Sequence, residues 1–186
     1  MALKATVVRV DLQISDMDRH YYASHSLTLA QHPSETDERL MVRVLAFALY
    51  ARERLEFGRG LSNDEDPDLW LRDYTGDVEL WIDLGQPDES RVRKACGRAR
   101  QVVVVNYGGR AADLWWERNG SALARHRNLT VLDLPAAALE PLVAMYARGM
   151  RLDVQVQDGE VRVLDERGAE AVLQPGARMS AQPVRD

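Results

Sequence analysis

Asp68 and Asp83 each border a short apolar stretch, Leu69-Trp70-Leu71 and Val78-Glu79-Leu80-Trp81-Ile82-Asp83-Leu84, and Lys94 follows the second. Two carboxylates on adjoining strands with a lysine nearby are the parts of a metal-dependent phosphodiesterase. Hard oxygen ligands hold the ion, and the compact cation orients water or a phosphoryl oxygen. Lys94 draws notice because the chain has only two lysines, Lys4 and Lys94, against 22 arginines. Arginine carries a wide planar fork that cannot replace a point charge. An arginine-biased composition that happened to retain Lys94 accounts for it equally well.

Side chains on a strand alternate between faces. Val78, Leu80, Ile82 and Leu84 therefore share one face, and Glu79, Trp81 and Asp83 the other. Asp68 shares a face with Trp70, and a hairpin centred near Thr75 sets Asp68 almost opposite Asp83. Like charges so placed repel unless a cation lies between them. Taken alone, Asp68 reads equally well as a turn aspartate after Pro67. Asp83 ends an apolar strand and needs a partner. Glu38 is a third candidate ligand, because the helical wheel leans it toward Met41, Val42 and Leu45. Its competing role is an N-terminal acid that complements the helix dipole.

Val92, Ala95, Cys96 and Ala99 form the apolar stripe of the next helix, and Lys94 lies away from it, near Arg91 and Arg98. Gln86, closer to Asp83 in sequence, competes with Lys94 for the water-orienting role. Arg91, Arg93, Lys94, Arg98 and Arg100 make a dense basic cluster that suits phosphates or, more commonly, a solvated helix face. His20, His25, His32 and His126 lack zinc-site spacing. Cys96 reads as an inert core thiol. Trp115-Trp116 could stack bases, but packing of one and partial exposure of the other is the commoner arrangement. Gly58-Arg59-Gly60 and Gly108-Gly109 are too short for a phosphate-binding fingerprint.

These residues sit in a chain of 186 residues with net charge −5 and 46 % hydrophobic content. That length favours one domain with its own core. The acidic balance argues against nonspecific coating of nucleic acid, though not against a local basic track. A single cysteine excludes an internal disulfide and fits a reducing compartment. Residues 1–6 carry no apolar run, so no secretory leader is expected, and no window is apolar enough for a membrane span.

Residues 3–14 alternate as a half-buried strand, with Val8, Val10, Leu12 and Ile14 inward and a return strand over 20–30. Ser34 with Asp37 resembles a capping box for a helix running to about Arg54. Strands are expected near 55–57, over 68–72 and 78–84, then a helix over 88–99. The run Val102-Val103-Val104-Val105 reads as a strand buried on both faces. A helix at 111–118, a strand at 129–134 and a helix at 135–150 follow. A hairpin turning at Asp158-Gly159 ends the ordered chain. The pattern predicts one α/β domain over 1–176, with a central mixed sheet, flanking helices, terminal hairpins and a flexible tail at 177–186.

The run His32-Pro33-Ser34-Glu35-Thr36 with Glu38-Arg39, the start Met1-Ala2-Leu3-Lys4-Ala5-Thr6, and Trp81-Ile82-Asp83-Leu84-Gly85-Gln86-Pro87-Asp88-Glu89 with Arg91 and Lys94-Ala95-Cys96 resemble the YaeQ family of bacterial proteins. The resemblance spans nearly the whole chain. It implies a variant of the restriction-endonuclease-like PD-(D/E)XK fold, with core order αβββαβ. Pro67-Asp68 fits the first half of that motif. Asp83-Leu84-Gly85 fits the second except at its last position, where glycine stands in place of lysine. The resemblance then implies Asp68, Asp83 and Glu38 as ligands of Mg2+ or Mn2+. Lys94, or failing it Gln86, would act beside Asp83 in catalysis, and Arg91, Arg93, Lys94 and Arg98 would bind nucleic acid. Two functions remain open at this point. One is a cytoplasmic metal-dependent nuclease. The other is a catalytically degenerate fold that binds nucleic acid or a protein partner.

Overall fold

The computed structural model describes residues 3–62 and 64–183. In chain order its elements are β1 (Thr6–Asp16), β2 (Tyr21–Gln31), α1 (Asp37–Tyr50), β3 (Leu55–Phe57), β4 (Leu69–Arg72), β5 (Val78–Leu84), α2 (Glu89–Arg98) and β6 (Ala99–Asn106). They continue with α3 (Arg110–Leu123), β7 (Leu129–Asp133), α4 (Ala136–Ala144), β8 (Gly149–Gln157), β9 (Glu160–Asp165), β10 (Glu170–Leu173) and β11 (Gly176–Met179). The chain is an α/β protein with two mixed sheets, and its order from α1 to β6 follows the expected helix, three strands, helix and strand. It divides into two compact units, residues 1–50 with 60–62 and 135–175, and residues 51–59 with 63–134 and 176–186.

The first unit holds the sheet β10-β9-β8-β1-β2. The expected terminal hairpins both form, and they build this sheet of their own, because β1 pairs in parallel with β8 from Arg9↔Gly149 to Asp16↔Val156. Their alternating apolar residues, Val8, Val10, Leu12 and Ile14 with Met150, Leu152, Val154 and Val156, are all buried. α1 is capped by Thr36, whose hydroxyl accepts the Arg39 N–H at 3.1 Å. The Ser34 hydroxyl instead bonds the His32 ring, so the cap lies two residues later than the Ser34–Asp37 spacing predicts. Buried Glu35 pairs with Arg43 at 3.0 Å, which satisfies two charges that local periodicity does not flag.

The second unit holds the sheet β11-β7-β6-β5-β4-β3, with β5, β6 and β7 parallel and the other neighbours antiparallel. β-Branched Val102 to Val105 fill the buried centre of β6. On the face that carries Trp81, the core joins Val92, Ala95, Val102, Val104, Trp115 and Leu123. That face is therefore covered by α2 and α3. The segment expected to be a tail contains β11, which pairs with β7 and sets Met179 against this core. Residues 184–186 lie outside the described chain. The helix expected over 135–150 ends at Ala144, and by Gly149 the chain is strand. No described helix is long and apolar enough to cross a membrane.

Candidate functional site

The β4–β5 register carries Asp68 to Asp83. Leu69 pairs with Ile82 and Trp70 with Trp81. One step further, the Asp68 N–H donates to the Ile82 carbonyl at 3.0 Å, and its Oδ2 accepts the Leu84 N–H at 2.8 Å. Asp68 thus grips the β5 backbone on both sides of Asp83. The two residues are buried, at 8 % and 2 % exposure. Gly58 makes this approach possible. Its N–H donates to the Asp68 carbonyl, and a Cβ on it would fall 1.9 Å from the Pro67 oxygen.

Asp83 is closed by an arginine. Arg91 Nε donates to Oδ2 at 2.9 Å and Nη2 to Oδ1 at 2.9 Å, while the Trp81 indole N–H donates to Oδ2 at 3.0 Å. This fork-to-fork geometry is the strong form of a charge-assisted pair. The strand itself brings it about. Asp83 and Trp81 point to the face that α2 covers, the chain turns at Gly85, and Arg91 returns over the strand end from the first turn of α2. The same guanidinium donates to the backbone carbonyls of Asp64 and, at 2.8 Å, Asp66. Its pKa is raised, first by the hydrogen bond to Asp83, against the opposing effect of burial; the charges of Asp83, Asp68 and Asp64 add to the rise. Asp66 is tied in turn by Arg59, Nε to Oδ2 at 2.8 Å, and that bond holds its carboxyl below the usual range.

Gly85 has φ 83°, in the left-handed region, and its N–H donates to the Val105 carbonyl. A lysine there, the residue that a PD-(D/E)XK motif carries at this position, would strain the backbone. Glycine at this position is a requirement of the turn.

Arg91, Lys94 and Arg98 follow one another at i, i+3 and i+7 along α2, so they share a helix face. With Asp64, Glu65 and Asp88 they line a cavity of about 540 Å³. Arg98 lies 5.5 Å from the centre of the Trp81 ring. Neither Lys94 nor Arg98 has an acid within ion-pair distance among the described residues. Arg93, by contrast, pairs with Glu89 at 3.3 Å, and Arg100 with Asp73 at 3.4 Å. Cys96 is half-buried, and burial pushes its thiol up to about 11, as suits an inert core cysteine.

The structure therefore gathers Asp68, Asp83 and Arg91 at the end of β5, while Lys94 and Arg98 follow α2 back toward the start of that strand, where Ala99 pairs with Val78. Gln86 is drawn elsewhere, its amide donating to buried Asn106 at 2.6 Å and to the Tyr107 carbonyl. Glu38, half-buried in the first turn of α1, belongs to the other unit. Arg91, expected on a phosphate, is committed to Asp83. The need of Asp83 for a partner was the sequence signal for that pair; the loop carbonyls of Asp64 and Asp66 left none.

A divalent ion does not fit this arrangement. Both Asp83 oxygens already accept hydrogen bonds, and a guanidinium stands against them. Among the described residues no group of three His, Cys, Asp or Glu side chains is placed to hold a metal.

Together these features define an α/β protein, with mixed sheets and four α-helices among the described residues, whose strand-end carboxylate is neutralised by an arginine from the following helix. The chain belongs to the YaeQ family: the family model described as "YaeQ protein" matches residues 1–173. It is 44 % identical over 167 residues to the Escherichia coli (strain K12) protein described as "Uncharacterized protein YaeQ", covering 90 % of this chain and 92 % of that one. The crystal structure of the YaeQ protein from Xanthomonas axonopodis pv. citri superposes with a TM-score of 0.92 at 65 % identity, covering 95 % of this chain and 99 % of that one. The YaeQ protein from Pseudomonas syringae gives 0.90 at 34 % identity, covering 95 % and 97 %.

Proposed function

We propose that this protein is a non-hydrolytic nucleic-acid-binding module, a restriction-endonuclease-like core that retains phosphate contacts and has given up turnover. One observation carries the reading. On a single face of α2, Arg91 is consumed by Asp83, while Lys94 and Arg98 beside it have no acid partner among the described residues. Unpaired cations at helical spacing suit successive phosphates, and binding there releases counterions. The closed Asp83 explains why the carboxylate pair persists without a metal: it fixes the end of β5 and the start of α2. Gly85 supports the same reading, because its turn leaves no room for the motif lysine.

Fluorescence anisotropy with labelled single-stranded DNA, duplex DNA and RNA tests this. Binding should weaken steeply between ~50 and ~200 mM salt. The labelled strands should stay intact in Mg2+ and in Mn2+. Divalent-dependent cleavage that disappears in Asp83→Asn would overturn the reading in favour of a nuclease. Salt-independent binding, or none to any of the three, would overturn it in favour of a protein partner.

A further inference from the structure

We infer that the free edge of β2 joins the same edge of a second copy of this chain, antiparallel about a two-fold axis at His25, so that the two sheets run on as one. The backbone shows which groups are open. The Arg9 N–H donates to the Arg148 carbonyl at 2.8 Å, so the odd-numbered residues of β1 turn their backbone groups toward β8. The even-numbered ones face β2, where Val8 pairs with Leu29, Val10 with Leu27, Leu12 with His25 and Ile14 with Ala23. The odd-numbered residues of β2 are thereby spent on β1. The even-numbered ones point outward from the sheet, of which β2 is the last strand. Arg43 agrees with this parity: its Nη2 donates to the Ala30 carbonyl at 3.1 Å and closes that end of the edge. The N–H and C=O groups of Tyr22, Ser24, Ser26 and Thr28 remain, with no hydrogen-bond partner among the described residues.

Three features select a second copy as the occupant. The open groups are symmetric about His25. A two-fold there pairs Tyr22 with Thr28 of the partner subunit and Ser24 with Ser26 of the partner subunit, which uses every open group and closes the assembly at two. Nothing repels, because Tyr21–Gln31 holds no Asp, Glu, Lys, Arg or Pro, and its register with β1 is unbroken. Charges, prolines and bulges are what normally keep a long edge to itself. The other edge strands, β10, β11 and β3, have only four, four and three residues. The inward row is also unfinished: Ala23 and Leu27 stay half-exposed, and the same axis sets Ala23 against Leu27 of the partner subunit. So short an edge buries less than a standard interface, which sets the dissociation constant on the order of 1–100 μM. No residue of the nucleic-acid face takes part, so either proposal can fail without the other.

Sedimentation velocity of the full chain from ~1 to ~500 μM tests this, with circular dichroism to follow folding. Wild type should pass from monomer to dimer across that range. Ser26→Pro removes an outward N–H and none that β1 uses, so it should keep the fold and raise the dissociation constant ~10-fold or more. Two double variants read the register and decide the matter if Ser26→Pro does not fold. Ser24→Lys/Ser26→Lys sets lysine opposite lysine across the axis and should abolish the dimer. Ser24→Lys/Ser26→Glu sets each lysine opposite a glutamate of the partner subunit and should keep it. A wild type that stays monomeric at ~500 μM would overturn the inference and leave the edge to a strand of another protein. A dimer that a folded Ser26→Pro variant leaves intact, or equal behaviour of the two double variants, would overturn it as well.

Discussion

Arg91 meets Asp83 edge to edge, with Nε and Nη2 each 2.9 Å from a different carboxylate oxygen. The carboxylate side chain is 3 % exposed and the guanidinium side chain 29 %. A pair so placed is costly to halve, because the survivor keeps its charge in a poorly solvated site.

Asp83→Ala and Arg91→Ala should each lower stability by about 3 kcal/mol in urea unfolding. The double substitution should cost clearly less than the sum, since it strands no charge. Simple additivity would show that the two groups do not stabilise one another.

Placing lysine at Gly85, where a PD-(D/E)XK motif would carry one, should harm the fold and yield no activity. Gly85→Lys should cost ~1–2 kcal/mol because φ 83° is unfavourable to any side chain. Gly85→Ala should cost about the same, which separates backbone strain from charge. A Gly85→Lys protein as stable as wild type, or one that cleaves nucleic acid, would contradict this account of the turn.

Phosphate contacts by α2 should follow the ion pairing. Lys94→Ala and Arg98→Ala should each weaken binding and reduce the slope of log affinity against log salt by about 1. Arg93→Ala should change the slope less, since Arg93 already pairs with Glu89. Equal effects from all three would point to a diffuse field in place of a defined face.

Cys96 should be poorly reactive and weakly destabilising in alkali. Its folded pKa is raised to about 11 from an ordinary 9.0, so the thiol stays protonated where an unfolded chain already loses the proton. Its contribution is therefore complete below pH 9 and declines between 9 and about 11. Alkylation by iodoacetamide should remain slow at pH 8, and Cys96→Ala should flatten the stability loss above pH 9. Rapid labelling at pH 8 would show that the site opens freely.

Much of the second unit was legible because its signals are local. The alternation in β5 and the turn near Thr75 fix the β4–β5 register, and that register alone brings Asp68 beside Asp83. The stripe Val92, Ala95, Cys96 likewise leaves Lys94 exposed, as the structure has it. The less legible features are long-range. β1 finds β8 across most of the chain, and no residue of either strand names the other. β11 is ordered by β7 and by the seat of Met179, not by its own Gly-Ala-Arg-Met propensity. The fate of Arg91 required two things at once: a buried Asp83, which the strand pattern shows, and loop carbonyls aimed at one point, which no side-chain pattern encodes. Thr36 and Ser34 are both competent caps, and only the path of the chain selects Thr36.

The parallel pairing of β1 with β8 orders events during synthesis. The strands β3 to β7 lie within one continuous stretch, so most of their sheet can assemble as soon as residue 133 is free of the ribosome. The β1–β2 hairpin emerges far earlier, yet its long parallel neighbour does not exist until residue 157 has been added. An eleven-residue strand with an open edge must therefore wait through most of translation. Its alternating charges and polar residues, Arg9, Asp11, Gln13 and Ser15, are what such a wait demands, since they keep the nascent hairpin from zipping onto another unfinished chain.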